Sequence, residues 1–190
     1  MRTSEEIKAD IDTATNAYDA SWLHALSAEV LEQGALDSPA WSANLEGLAF
    51  RMAGQYAQAH EAYSRGLALY EQIGNKVGMA GTIGNLGTIH ASRGEYAQAL
   101  EAFNKALAIR EELGERGEAA AIAANIGSIH ASIGEYAKAL EQYERARGVF
   151  EQLGNREAVA MLTDNIGNVF VAAMGGTDRE VPLDVTCTVI

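Results

Sequence analysis

Between about Ser38 and Met174, apolar and small residues recur at the spacing of one helix face. A glycine breaks the pattern every 20 residues, at Gly54, Gly74, Gly94, Gly114, Gly134 and Gly154. A helix face repeats at i, i+3, i+4 and i+7, and a glycine just past its end supplies the left-handed backbone that stops it. The pattern predicts inner and outer helices in alternation. The first inner helix opens at Asp37-Ser38-Pro39, runs to about Met52 and turns at Gly54. Its outer partner starts at Gln55 and ends at Gly74-Asn75. A shift of forty residues lays Gly78–Gly117 on Glu118–Glu157 with 19 of 40 positions identical. The shared core is I-H-A-S-x-G-E-Y-A-x-A-L-E, at Ile89–Glu101 and again at Ile129–Glu141. A period of this length marks an all-α solenoid, whose units stack because none can bury its apolar face alone.

Three full repeats are expected at about 38–77, 78–117 and 118–157, followed by half a repeat at 158–174 whose inner helix spans about Arg156–Met174. Residues 1–37 read as a degenerate capping helix pair. Its first helix starts at Ser4 with Glu5 and Glu6, and its second, Trp22–Leu31, stops at Gly34. Residues 175–190 are a tail, β-branched from Val181 to Ile190 and unlike the rest. No outer helix follows the last inner one, so one side of that helix needs a cover. The tail, a second copy of the chain, or a continuation of the chain are the candidates.

A formal charge of −12 and a pI near 4.7 argue against nucleic acid and against an anionic membrane surface as partners. The single cysteine, Cys187, rules out an internal disulfide framework and fits a reducing compartment. The charged amino terminus lacks the apolar run of a signal peptide, and the uncharged stretch 119–134, which no other exceeds in length, is too short and too polar to span a bilayer. A cytoplasmic location is the expectation.

The repeats resemble the tetratricopeptide repeat. Gly47, Gly87, Gly127 and Gly167 match the small residue where the family's paired helices approach closely. Ala59, Ala99 and Ala139 match its small residue on the outer helix, Tyr63, Phe103 and Tyr143 its aromatic, and Ala106 and Ala146 its second alanine. The longer form, running on through Ile109–Gly114 without a closing proline, is similar to the repeats of kinesin light chains. The family's tryptophan is replaced by Ile83, Ala123 and Thr163, and its inner-helix tyrosine by His90 and His130. The resemblance implies a right-handed superhelix of antiparallel helix pairs that binds a partner protein in a concave groove.

Asn85, Asn125 and Asn165 stand two residues before three of those glycines. A carboxamide offers donor and acceptor together, so one per repeat can hold an extended main chain whatever its sequence. In the resembling family, asparagines here often do so. The alternative is that they bond neighbouring inner helices. Thr88, Ser92, Ser128, Ser132, Asp164 and Asn168 complete the expected groove wall, which is small, hydroxylated and nearly uncharged. Its lack of a lysine–arginine pair disfavours acidic tails and favours neutral or mildly basic segments. The glycine row Gly78, Gly81, Gly84 and Gly87 lacks the strand and spacing of a phosphate loop and should leave the second inner helix the softest. His90 and His130 are expected to fill an interhelix slot and have no metal-ligand partner on their own helix turn. No catalytic grouping assembles locally. The expected function is a noncatalytic protein-binding scaffold without cofactor or metal. The alternatives are a regulatory segment of a larger signalling protein and self-assembly through the open end.

Overall fold

The structure, a computed structural model, describes residues 3–17, 19–32 and 38–175. The expected stop at Gly34, the cap residue Asp37 and the tail beyond Gly175 lie outside the described residues. Within them every regular element is a helix. They are α1 (Ser4–Asn16), α2 (Ala20–Glu32), α3 (Ser38–Met52), α4 (Tyr56–Ile73), α5 (Lys76–Ser92), α6 (Tyr96–Leu113), α7 (Arg116–Ser132), α8 (Tyr136–Leu153) and α9 (Arg156–Ala173). The fold class is an all-α solenoid of helix pairs. Two compact units divide it, Met1–Ile89 and His90–Ile190, with the boundary inside α5.

The helix ends follow the glycines. Gly54, Gly94 and Gly134 take φ of 72°, 72° and 79°, and Gly74, Gly114 and Gly154 take 68°, 73° and 72°. At each the next residue's N–H reaches the carbonyl five back, as from Asn75 to Tyr70 and from Glu135 to His130. This double-bonded turn satisfies the last carbonyls of the helix and needs a left-handed residue that glycine supplies without strain. The first helix starts at Ser4, as expected. Thr3, not Ser4, is the N-cap: its hydroxyl accepts from Glu6 N–H while the Glu6 carboxylate accepts from Thr3 N–H. That reciprocal box needs an acidic side chain three residues on, which Thr3 has and Ser4, followed by the buried Ile7, does not.

In the first unit Ile7, Ile11 and Ala14 of α1 meet Leu23, Leu26 and Val30 of α2 and Leu45, Leu48 and Ala49 of α3. Burying each leucine or isoleucine contributes roughly 1.5–3 kcal/mol. Farther along, Tyr63 of α4 lies fully buried beside Ala59 and Ile89. A methyl added at Gly47 would sit 2.7 Å from the Tyr63 ring, so α3 and α4 touch at a point only glycine fits. Thr82 of α5 donates to the Asn44 side chain of α3 at 2.9 Å, linking neighbouring inner helices. In the second unit the core joins Ala120, Ala123 and Ala124 of α7, Tyr143 and Phe150 of α8, and Leu162, Ile166 and Val169 of α9. Gly127 repeats the close approach, 2.9 Å from Tyr143.

Candidate functional site

The nine expected groove residues fall into two groups by accessibility. In the first unit Asn85 and Thr88 are half-buried on α5, and the Thr88 hydroxyl donates to the Gly84 carbonyl at 3.2 Å. In the second unit Ser92, Ser132 and Asp164 are exposed and Asn168 is half-buried. Asp164 and Asn168 share a face of α9 at i, i+4 spacing. Ser132 donates to the Ser128 carbonyl at 2.9 Å, which leaves its oxygen free to accept from outside.

The other three are buried. Asn125 is 3% exposed and takes part in an interaction within the protein, and Asn165 is 9% exposed. Ser128 differs most from expectation. Its hydroxyl donates to the Ala124 carbonyl at 3.2 Å and accepts from the Tyr143 hydroxyl at 2.9 Å, so it belongs to the α7–α8 interface and not to a groove wall. The cause is the aromatic fifteen residues on: a tyrosine against Gly127 brings a hydroxyl that needs a buried partner, and Ser128 is that partner.

Sequence reasoning missed a paired feature. His90 Nδ1 lies 2.6 Å from Glu95 Oε2, and His130 Nδ1 lies 2.6 Å from Glu135 Oε2. Each contact ties the end of an inner helix to the turn that follows. The glutamate stands five residues on, beyond the helix turn considered for ligands, yet both pairs sit inside the repeated H-A-S-x-G-E-Y. Lys138 also reaches Glu135, at 3.0 Å, and Arg93 reaches Glu95 at 3.0 Å. Hydrogen bonding from Lys138, and then from His130, holds the Glu135 carboxyl below its ordinary value. Among the described residues no group of three or more His, Cys, Asp or Glu is placed to hold a metal ion.

Arg110 was also not singled out. It is buried at the end of α6, at the phase occupied by Tyr70 and Phe150 in the flanking repeats, and it pairs with Glu115 in the turn. A half-open cleft of about 220 Å³ lies near it, between the turn after α6 and helices α7 and α8. Ala119, Ala120, Ala123 and Val149 line its apolar part, and Glu111, Glu115, Arg116 and Arg145 its polar part. None of the nine expected residues lines it. No described helix is long and apolar enough to cross a membrane.

Residues 78–152 match the tetratricopeptide repeat family. No curated protein matches the chain by sequence. Among solved structures, aspartyl phosphate phosphatase F from Bacillus subtilis is similar with a TM-score of 0.71 and 18% identity, over 93% of this chain and 45% of that one. BtubC (BKLC) from P. vanneervenii follows at 0.64 and 18%, over 93% and 83%. A protein named as a kinesin light chain, with nearly identical TPR-like repeats, from Podosopora anserina reaches 0.58 and 13%, over 92% and 99%. The chain thus spans less than half of the phosphatase it resembles. At these identities the likeness is one of fold.

Proposed function

We propose that the chain, whose residues 78–152 match the tetratricopeptide repeat family and whose helix pairs share its fold, is a noncatalytic scaffold that binds a peptide or helix of a partner protein. The observation that carries this reading is the accessible polar set of the second unit. Ser132, Asp164 and Asn168 offer acceptors and donors on inner helices. Asn125 and Asn165, beneath them in exposure, act as scaffold and set where those side chains stand. In the first unit the half-buried Asn85 and Thr88 serve the same surface role.

A neutral or mildly basic segment fits best, since Asp164 is the one formal charge in the set and the net charge of −12 speeds the approach of basic partners. The test is affinity capture with the intact chain, followed by titration of the captured partner. Changing Ser132, Asp164 and Asn168 together to alanine should weaken binding at least tenfold with little change in Tm. Asn125→Ala should do the reverse and lower Tm. Full binding by the triple variant would end the reading.

A second reading is a regulatory segment of a longer signalling protein. It is favoured by the phosphatase neighbour, in which this fold occupies 45% of the chain. An in-frame continuation at the locus would support it.

A further inference from the structure

Around the turn after α6, Arg110, Glu115, Ala119, Ala123 and Val149 depart together from the repeat. Along the forty-residue register, Met79, Ile83 and Ile109 correspond to the smaller Ala119, Ala123 and Val149. These three, with Ala120, form the apolar lining of the half-open cleft of about 220 Å³ between that turn and helices α7 and α8. The shorter side chains open the space. A cavity of about 150 Å³ holds one benzene ring, so this one has room for a branched aliphatic side chain.

The other two departures change the polar wall. Where the flanking repeats have Tyr70 and Phe150, Arg110 stands buried at 4% exposure, and its Nε has no hydrogen-bond partner among the described residues. Where they have Asn75 and Asn155, the chain has Glu115. Those asparagines cap the helix that follows. Asn75 Oδ1 accepts from Gly78 N–H at 2.9 Å, and Asn155 Oδ1 from Ala158 N–H at 3.0 Å. Glu115 makes no side-chain cap, because its carboxylate is turned to Arg110. The first turn of α7 thus lacks the acceptor that α5 and α9 have, and such a helix end favours an anion. The charges on the cleft wall point the same way. Glu115 is held by Arg110 and Glu111 by Arg145, whereas Arg116 donates to the neutral Gln152 side chain. Three arginines therefore face two glutamates at this spot, on a chain whose formal charge is −12.

We propose that the cleft binds the free carboxyl end of a partner peptide whose last residue is branched and aliphatic. That side chain lies against Ala119, Ala120, Ala123 and Val149, and the carboxylate meets the Arg116 guanidinium and the first-turn N–H groups of α7. The arginine–carboxylate contact is charge-assisted and gives the bound end its direction. The open side of the cleft lets the rest of the peptide leave. Arg145 and Glu111 are exposed, so parting them to admit the peptide costs little. The site shares no residue with the polar set of the scaffold reading and does not depend on that set.

The test titrates the full chain with acetyl-glycyl-leucine and follows backbone amide NMR shifts. The amides of 117–120 should shift saturably. Acetyl-glycyl-leucinamide, the same chain without the charge, should bind about tenfold more weakly, the loss of one charge-assisted contact. Isovalerate, a free acid with the same branched chain, should also bind more weakly. Arg116→Gln should lower affinity about tenfold with Tm little changed. Ala119→Met, which installs the side chain of the preceding repeat at a half-buried position, should abolish binding with circular dichroism unchanged. Changing Ser132, Asp164 and Asn168 together to alanine should leave this binding intact, which separates the site from the scaffold surface. No saturable shift at 117–120, equal binding of the leucinamide, isovalerate binding as tightly as the peptide, or full binding by Ala119→Met would overturn the proposal.

Discussion

Tyr63 and Tyr143 occupy one phase of the repeat, but their hydroxyls are treated differently. Tyr143 donates to Ser128, whereas the position matching Ser128 in the first repeat is Leu48, and among the described residues the buried Tyr63 oxygen has no partner in full hydrogen-bond geometry, only the Arg51 guanidinium beside it. Burial pushes the Tyr63 phenol up to about 12, with the nearby Arg51 guanidinium pulling it partly back. Phe103 shows that the slot accepts a ring without a hydroxyl. Tyr63→Phe is therefore expected to change stability little, while Tyr143→Phe costs about 1 kcal/mol for its lost buried bond. Urea denaturation at pH 7 compares the two, and equal losses would contradict the assignment. The pH dependence has a definite sign. The folded pKa of Tyr63 lies above the unfolded value near 10, so its contribution is complete below about pH 10 and is lost as pH rises toward 12. Tyr63→Phe should remove that part of the alkaline slope. Gly84, on the other hand, sits in α5 with open space where a methyl would go, so Gly84→Ala should stabilise by up to about 1 kcal/mol.

At the scale of elements, α5 and α7 share a phase and most of a motif but differ in what they bury. Four residues of α5 are buried, Ala80, Thr82, Gly87 and Ile89, against ten of α7. The glycine row costs helix propensity, and the thinner packing does not offset it. Amides in the middle of α5 should thus exchange faster than those of α7 under native conditions, and slower exchange in α5 would refute this. The turn after α7 carries its own prediction. Glu135 has a folded pKa below the ordinary value, so its contribution is present above about pH 4.3 and is lost as pH falls through the lowered folded value. Glu135→Gln should flatten the acid limb of the stability profile. These elements also show what the residue string made legible. Helix phases, glycine stops and the Gly127–Tyr143 approach depend on local spacing, and spacing can be read directly. The burial of Ser128 depends on a hydroxyl fifteen residues away, and the His130–Glu135 contact on a turn folding back. Neither follows from the periodicity of one helix face.

For the whole molecule, the two units have separate cores. Ile7, Leu23, Leu26 and Leu45 hold the first, and Tyr143, Phe150, Leu162 and Val169 the second. Helical repeats have stabilities that add unit by unit with nearest-neighbour terms, so cooperativity fails where one link is weak. The boundary falls inside α5, the helix with the glycine row and the fewest buried residues of the inner helices α3, α5, α7 and α9. Trp22 and Trp41, the only two tryptophans of the sequence, both belong to the first unit. Their fluorescence therefore reports that unit alone, while helical circular dichroism reports both. In urea the fluorescence midpoint should separate from the dichroism midpoint, and Gly84→Ala should bring the two closer by strengthening the link. A single transition, superimposable by both probes in the parent protein, would mean that α5 couples the units fully despite its glycines.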